Sequence, residues 1–209
     1  MQNLLEFIQE LKQSKIKDLV DNRIKEFKEV GEKKSNEIFK ELCFCIMTAN
    51  CSAEMCIRVQ DEIDDGFLTL QEVDLAKRLK EVGYRFYNKR ANYIEVSRKY
   101  KDDIKEIVES YEKESELRDW LVKNIKGLGY KEASHFLRNI GFKGLAIIDF
   151  HIIDLLIKQK LIDKKPKSLS KTKYLEIESI LKKIAEELNL TLGELDLYLW
   201  YMETGKILK

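Results

Sequence analysis

Two side chains near the middle of the sequence have the types and spacing of a nucleophile and its electrostatic partner. Lys131 follows the tripeptide Gly127-Leu128-Gly129 by two residues, and Asp149 lies eighteen residues further on. The Gly-X-Gly pattern predicts a tight turn, so Lys131 falls in the first turn of the following helix. A positive charge there opposes the helix dipole, which makes a purely structural role unfavourable. A lysine and a carboxylate that face one cleft can attack a carbon and stabilise the charge that develops.

Amphipathic helices on both sides of the tripeptide must position these side chains. Before the turn, apolar residues recur at Leu121, Ile125 and Leu128, and after it they recur at Ala133, Phe136, Leu137 and Ile140. This pattern predicts a helix-hairpin-helix, in which Gly127 and Gly129 let the backbone come close to a partner. The second helix begins with unpaired amides that can bind a phosphate oxygen. Asp149 precedes another apolar helix, which we expect it to cap with a partly buried carboxylate.

Helical periodicity continues through the rest of the chain, and no segment sustains the alternation of a strand. We therefore predict an all-α fold. Predicted helices cover residues 4–11, 16–30, 35–48, 87–100, 102–111, 115–126, 174–188 and 192–203, with a turn and a helix in 66–82. Ser52 should cap a helix that follows a break at Asn50, and Thr191 with Glu194 should form a capping box. Helix 35–48 is apolar nearly all round, so we expect it to be central.

The composition of the 209 residues fits one large unit or two small ones that share a cleft. Hydrophobic residues make up 44% of the chain, which is enough to bury a core. No run of about 18 apolar residues is present, so we expect no membrane span. The amphipathic first 18 residues carry acids, which is atypical of secretory signals and transit peptides. We therefore expect an intracellular protein.

Basic side chains are concentrated in one segment, although the net charge is only +1. Residues 158–173 contain seven lysines and one acid around the only proline. A charge run of this kind is either a solvated loop or part of a surface that binds nucleic-acid phosphates.

The four cysteines all lie within fourteen residues, at Cys43, Cys45, Cys51 and Cys56. This clustering does not form a disulfide framework. Zinc would require better separated ligand pairs. We interpret the cysteines as small apolar core residues, one or two of them near the cleft, and predict no metal site.

The segment Gly127-Leu128-Gly129-Tyr130-Lys131 with Asp149-Phe150-His151 resembles the signature of the helix-hairpin-helix DNA glycosylase superfamily. The run GLGYKEASHFLRNIG is most similar to the short, mainly archaeal class of 8-oxoguanine DNA glycosylase/AP lyase. Segments 44–58 and 83–93 resemble further helices of that class. The resemblance implies a bifunctional enzyme that extrudes 8-oxoguanine from double-stranded DNA and excises it. Lys131 would then cleave the strand by β-elimination through a Schiff base, and Asp149 would stabilise charge at the sugar.

The resemblance also implies an architecture. The 209 residues would form a single glycosylase unit with two helical subdomains that flank a cleft. One subdomain would be the central bundle 35–131 with the hairpin, and the other would combine 1–34 with 132–209. The cleft would hold Lys131 and Asp149. By the same resemblance we expect a monomer that acts on DNA in the cytoplasm of a prokaryote.

Six further positions take substrate-binding roles from the resemblance. Gly127 and Gly129 would hold a phosphate, His151 would touch another, and Asn50 would fill the hole left in the duplex. Asn50 could equally end its helix. Trp200 would stack on the damaged base, with core packing as the alternative. The terminal carboxylate of Lys209 would accept a hydrogen bond from N7–H, which 8-oxoguanine has and guanine lacks.

The resemblance requires no cofactor. A monovalent cation is expected on the hairpin carbonyls of Lys123, Ile125 and Leu128. The C-terminal cysteine quartet that holds an iron-sulfur cluster in some related glycosylases is absent from this sequence, so we predict no cluster.

Three other functions remain open at this point. The chain could excise another damaged base, bind DNA through the hairpin without catalysis, or serve as a helical interaction protein. A non-catalytic hairpin needs the glycines but neither Lys131 nor Asp149, so the two together favour an enzyme.

Overall fold

The computed structural model describes residues 2–209, which form thirteen α-helices and one 3-10 helix, with no strand in that range. The first helices are α1 Gln2–Lys12, α2 Ile16–Gly31, α3 Ser35–Thr48, α4 Ala53–Ile63, α5 Gly66–Thr69, α6 Glu72–Glu81 and α7 Tyr87–Ser97. After the 3-10 helix Arg98–Tyr100 follow α8 Ile104–Glu109, α9 Glu114–Asn124, α10 Tyr130–Asn139, α11 Phe150–Lys158, α12 Lys171–Glu187 and α13 Leu192–Thr204. The predicted all-α fold is confirmed.

Local capping residues define several helix ends, as the sequence predicts. The Ser52 hydroxyl accepts a hydrogen bond from the Met55 amide at 3.3 Å and begins α4. Thr191 accepts from the Glu194 amide at 3.2 Å, and the Glu194 carboxylate accepts from the Thr191 amide at 2.7 Å. Each cap of this kind stabilises a helix by about 1 kcal/mol. Gly205 ends α13 in the left-handed conformation, with φ at +69°.

Several predicted helices differ from the structure by a few residues at their ends; the helix predicted over 87–100, for example, is α-helical only to Ser97 and continues as the 3-10 helix. The helix predicted over 102–111 is shorter in the structure and covers only α8. The residues before α8 form a tighter turn, in which the Asp103 amide donates to the Tyr100 carbonyl at 3.2 Å. The helix predicted over 174–188 begins three residues earlier, at Lys171. The Ser170 hydroxyl caps it by accepting from the Lys173 amide at 3.3 Å.

The buried apolar side chains form two clusters. The first cluster runs from Ile38 to Leu145 and surrounds α3, in which every residue from Ile38 to Thr48 is buried. The central position predicted for this helix is therefore confirmed. The second cluster joins α1 and α2 to residues 146–199.

Helix α10 takes part in both clusters. Ala133, Phe136 and Leu137 are fully buried in the first cluster, whereas Tyr130 packs against the second. The predicted division of the chain at residue 131 stays a prediction.

A buried ion pair ties α9 to α12 near the hairpin. The Arg118 guanidinium, 1% exposed, donates to both carboxylate oxygens of Glu178 at 2.6 and 2.9 Å. Glu178 also accepts from the amide of Ala146, a residue of the second cluster, at 2.9 Å. Bidentate contacts of this kind fix orientation as well as distance. They hold the helix that leads into the hairpin against α12. Within residues 2–209, no helix is long and apolar enough to cross a bilayer.

Candidate active site

The hairpin between α9 and α10 requires a glycine at position 127. Gly127 has φ at +93°, and a Cβ atom there would lie 2.2 Å from a ring carbon of Tyr93. Any larger residue would therefore have to displace the tyrosine as well as adopt a strained backbone. The sharp turn directs α10 so that its first turn opens into the cleft.

The second glycine begins α10. The Gly129 amide donates to the Glu132 carboxylate at 3.1 Å, so one amide at this helix start is occupied by the chain itself. Neither Gly127 nor Gly129 lines the cavity in the cleft described below. Their phosphate-binding roles stay predictions. The cation on the Lys123, Ile125 and Leu128 carbonyls likewise stays a prediction, and the Ile125 carbonyl accepts from the Leu128 amide at 3.3 Å.

Lys131 and Asp149 both line one cavity of about 680 Å³. Lys131 is half-buried in the first turn of α10, and the buried Ala133 and Phe136 fix that helix in the first cluster. Sites that bind small molecules typically have volumes of about 300–1,000 Å³. The volume of this cavity lies in that range, so the cavity is large enough for a purine base. An amine and a carboxylate therefore share a space that can receive a nucleobase.

Asp149 is held by the helix that it caps. Its Oδ1 accepts from the Ile152 amide at 3.0 Å, which begins α11 as predicted. The preceding residue, Ile148, is fully buried, and its amide donates to the Tyr174 hydroxyl at 3.1 Å. The carboxylate is half-buried and its direction is set by the cap.

Four more of the predicted residues, Asn50, His151, Trp200 and Lys209, line the same cavity. Asn50 is exposed, with φ at +61°, in the turn after α3. It thus has the left-handed backbone of a helix end and also faces the cleft. The rings of His151 and Trp200 stand edge to face, 6.3 Å apart, on α11 and α13. Trp200 is half-buried, and its indole nitrogen has no hydrogen-bond partner in the described chain. The roles of these residues stay predictions.

Sequence reasoning missed several polar residues of the cavity, among them the buried or charged side chains of His135, Arg138 and Asp196. His135 and Arg138 follow Lys131 by four and seven residues, which places all three on one face of α10. Both side chains are buried. Both His135 ring nitrogens and Arg138 Nε lack hydrogen-bond partners within residues 2–209. This helical spacing could have identified His135 and Arg138 from the sequence, whereas no sequence pattern points to Asp196 on α13.

Burial sets the protonation of two of these groups. It lowers the pKa of His135 well below its usual value, and the nearby positive charge of Arg138 adds to this effect, so the imidazole is neutral. Burial also raises the pKa of Asp196 to about 6, although the Arg138 guanidinium, 3.5 Å away, opposes that shift. The cavity thus contains a neutral imidazole ring and a carboxyl group whose pKa is raised to about 6.

The cysteines occupy the places that the sequence predicts. Cys43, Cys45 and Cys56 are buried in the first cluster, while Cys51 is half-buried and lines the cavity. A hydrogen bond with Cys56 lowers the pKa of the Cys51 thiol to about 7. The expected absence of an iron-sulfur cluster stays a prediction.

The lysine-rich segment covers the last residue of α11, the irregular loop 159–170 and the first residues of α12. Lys165 pairs with Asp154 at 2.8 Å and lies 4.9 Å from the centre of the exposed Phe150 ring. Lys164 and Lys167 are exposed. Leu169 of this loop lines the cavity, so the loop borders the site.

Comparisons with known proteins agree with this geometry. Residues 20–190 match the sequence model of a family described as 8-oxoguanine DNA glycosylase. The 8-oxoguanine DNA glycosylase/AP lyase of Methanocaldococcus jannaschii is 59% identical over 206 residues, 99% of each chain. That of Korarchaeum cryptofilum is 51% identical over 99% of this chain and 98% of its own.

Solved structures show the same fold. The M. jannaschii glycosylase/lyase in complex with a 15mer DNA containing 8-oxoguanine superimposes with a TM-score of 0.96 at 58% identity, over 99% of each chain. The 8-oxoguanine DNA glycosylase of Thermotoga maritima gives 0.94 at 44% identity, over 100% of this chain and 99% of its own. From the hairpin, the shared cavity and these full-length matches, we conclude that the chain belongs to the helix-hairpin-helix family of 8-oxoguanine DNA glycosylases.

Proposed function

We propose that this chain excises 8-oxoguanine from double-stranded DNA and then cleaves the strand at the abasic site. The observation that carries the proposal is the placement of Lys131 and Asp149 in one cavity large enough for a purine. The relatives that match over nearly the full length are named for both activities. Their names favour 8-oxoguanine over another damaged base.

The reaction begins when the nucleotide leaves the helix stack, because the glycosidic bond of a stacked base is out of reach. The nitrogen lone pair of the Lys131 side chain attacks C1′, and the bond from C1′ to the base breaks. The base leaves with the bonding electrons and takes up a proton. Asp149 stabilises the positive charge that develops on the sugar.

Strand cleavage follows from the same covalent bond. The nitrogen, which carries two hydrogens and a positive charge after the attack, passes one proton to O4′ as the C1′–O4′ bond breaks. The sugar ring opens and a protonated Schiff base remains between Lys131 and C1′. The Schiff base acidifies the C2′ hydrogen, and loss of that proton expels the 3′ phosphate by β-elimination. Water then releases Lys131. These steps use only the side chains of this chain and water, and the absence of a cofactor stays a prediction.

Three further residues of the cavity wall have binding roles in this proposal. Trp200 stacks on the extruded base, His151 contacts a phosphate, and Asn50 occupies the space that the base leaves in the duplex. All three line the cavity with Lys131, which supports these assignments.

A panel of duplexes, each with one defined lesion, tests the proposed function. We expect strand cleavage and a borohydride-trapped complex with 8-oxoguanine, and neither with undamaged guanine. Cleavage at a different lesion without action on 8-oxoguanine would show that the substrate is another damaged base. Tight binding without any cleavage would identify a non-catalytic hairpin protein.

The lysine-rich loop should contribute to DNA affinity. Replacing Lys164, Lys165 and Lys167 together with alanine should flatten the dependence of log affinity on log salt concentration. Each lost phosphate contact lowers the slope by about 0.9. The contribution of Lys165 is expected to be the smallest because Asp154 already pairs with it.

Binding titrations at several salt concentrations measure this slope. Replacing the exposed lysines Lys25, Lys182 and Lys183 makes the same change in charge at positions that do not line the cavity, and should leave the slope unchanged. A loop variant with the wild-type slope would restore the interpretation of a solvated loop.

The last residues of the chain, which pack at the cavity wall, should contribute to recognition of 8-oxoguanine. Ile207 packs against the second cluster, and Leu208 and Lys209 line the cavity. Deleting Lys209 removes its carboxylate from the wall, so excision of 8-oxoguanine should fall much more than cleavage of a pre-formed abasic site. Rates on the two substrates, with the melting temperature, check this. If both activities fall together, the tail only completes the core.

A further inference from the structure

The last residue of the chain is held by its side chain at a buried carboxylate. Lys209 Nζ lies 2.9 Å from Glu41 Oε2, also donates to the side-chain oxygen of Gln60, and sits 4.5 Å above the centre of the Phe44 ring. Glu41 is only 4% exposed. Chain ends usually fray, so this contact fixes a residue that would otherwise be mobile.

Glu41 connects the chain end to three helices. Its Oε1 accepts from Asn139 Nδ2 of α10 at 2.6 Å, and its Oε2 accepts from Gln60 Nε2 of α4 at 3.2 Å. A buried carboxylate is costly unless charge and hydrogen bonds compensate it. Lys209 supplies the compensating charge from a position 168 residues away in the sequence.

Lys209 borders the cavity directly, and Glu41 does not. Lys209 lines it together with Lys131 and Trp200, whereas Glu41 is absent from its wall in the described chain. Glu41 can therefore influence a bound base only through the residues that it holds. Because its salt bridge fixes the Lys209 side chain, it also restricts where the terminal carboxylate can lie.

We propose that Glu41 is a positioning residue for base selection. By holding Lys209, it places the terminal carboxylate where that group accepts a hydrogen bond from N7–H of 8-oxoguanine. Guanine presents a lone pair at N7, which a fixed carboxylate repels. A mobile chain end would lose this discrimination, because the carboxylate could turn away from guanine. This inference rests on the proposed function.

A double-mutant cycle tests the proposal. Glu41→Gln keeps the shape of the side chain and removes its charge, and Lys209→Met removes the ammonium and keeps the terminal carboxylate. The readout is the single-turnover rate on 8-oxoguanine DNA divided by the rate on a pre-formed abasic site. Each variant should lower this ratio by at least about tenfold, the loss expected for one charge-assisted hydrogen bond. The double variant should lower it no further, because both changes break one contact.

Glu37→Gln makes the same chemical change one turn earlier on α3, at an exposed carboxylate, and should leave the ratio unchanged. The proposal is overturned if Glu41→Gln keeps the wild-type ratio, if both activities fall in parallel, or if the two effects add. Lys209→Met changes only the chain end, so it decides the matter if Glu41→Gln does not fold. For Lys209→Met, a ratio equal to that of the wild type overturns the proposal.

Release of Lys209 by a lysine-specific carboxypeptidase tests the anchor independently of catalysis. Glu41→Gln should accelerate the release, and an unchanged rate would overturn the anchoring role. If the wild-type protein does not act on 8-oxoguanine, the proposed function and the base-selection role fail together, and the release rate still decides whether Glu41 holds the chain end.

Discussion

Lys131→Gln is expected to abolish the covalent complex that borohydride traps with 8-oxoguanine DNA, while DNA binding stays largely intact. Glutamine is close to lysine in length but has no amine that can form a Schiff base. Lys131 is half-buried on the cavity wall, in the first turn of a helix that is otherwise fixed by its buried face. The fold should therefore tolerate the change. The single-turnover excision rate should fall by at least about 10³-fold, as expected on removal of a nucleophile.

Lys126→Gln provides the matched control. Lys126 is exposed in the hairpin turn just after α9, its Nζ donates to Asn92 at 3.1 Å, and it does not line the cavity. Trapping at saturating enzyme should be as in the wild type. A Lys131→Gln protein that is still trapped at the wild-type level would remove Lys131 from the mechanism.

Asp149→Asn should lose most base excision and keep its fold and DNA affinity. Asparagine caps helices as well as aspartate does, so its side-chain oxygen can still accept from the Ile152 amide. A neutral amide cannot stabilise a positive charge on the sugar. We expect the single-turnover rate to fall by about 10²–10³-fold, the usual loss when one electrostatic contact to a transition state is removed.

Asp154→Asn on the same helix is the control for this change. Asp154 is exposed, pairs with Lys165 and does not line the cavity, so excision should remain near the wild-type rate. An Asp149→Asn protein whose rate stays within about threefold of wild type would refute the electrostatic role, because that corresponds to less than 1 kcal/mol of barrier.

The parts of the fold that could be predicted from the sequence are those set by local interactions. Ser52, the Thr191 and Glu194 pair, and Gly205 each define a helix end through contacts within a few residues. Lys131 could be placed for the same reason, because the preceding glycines determine where α10 begins.

The rest of the site depends on tertiary packing. Helical spacing places His135 and Arg138 on the same face as Lys131, but only the packing of α13 decides that this face borders a cavity. The contact of Glu41 with Lys209 joins residues that are 168 positions apart in the sequence. No local pattern identifies such a pair, and Glu41 within an apolar helix gives no sign of its partner.

The most direct test of the mechanism is peptide mapping of the borohydride-reduced complex between the wild-type protein and 8-oxoguanine DNA. Mass spectrometry of the digested adduct should locate the sugar on the peptide that contains Lys131, attached to that side chain. A sugar attached to the N-terminal amine or to a different lysine would contradict the proposed role of Lys131.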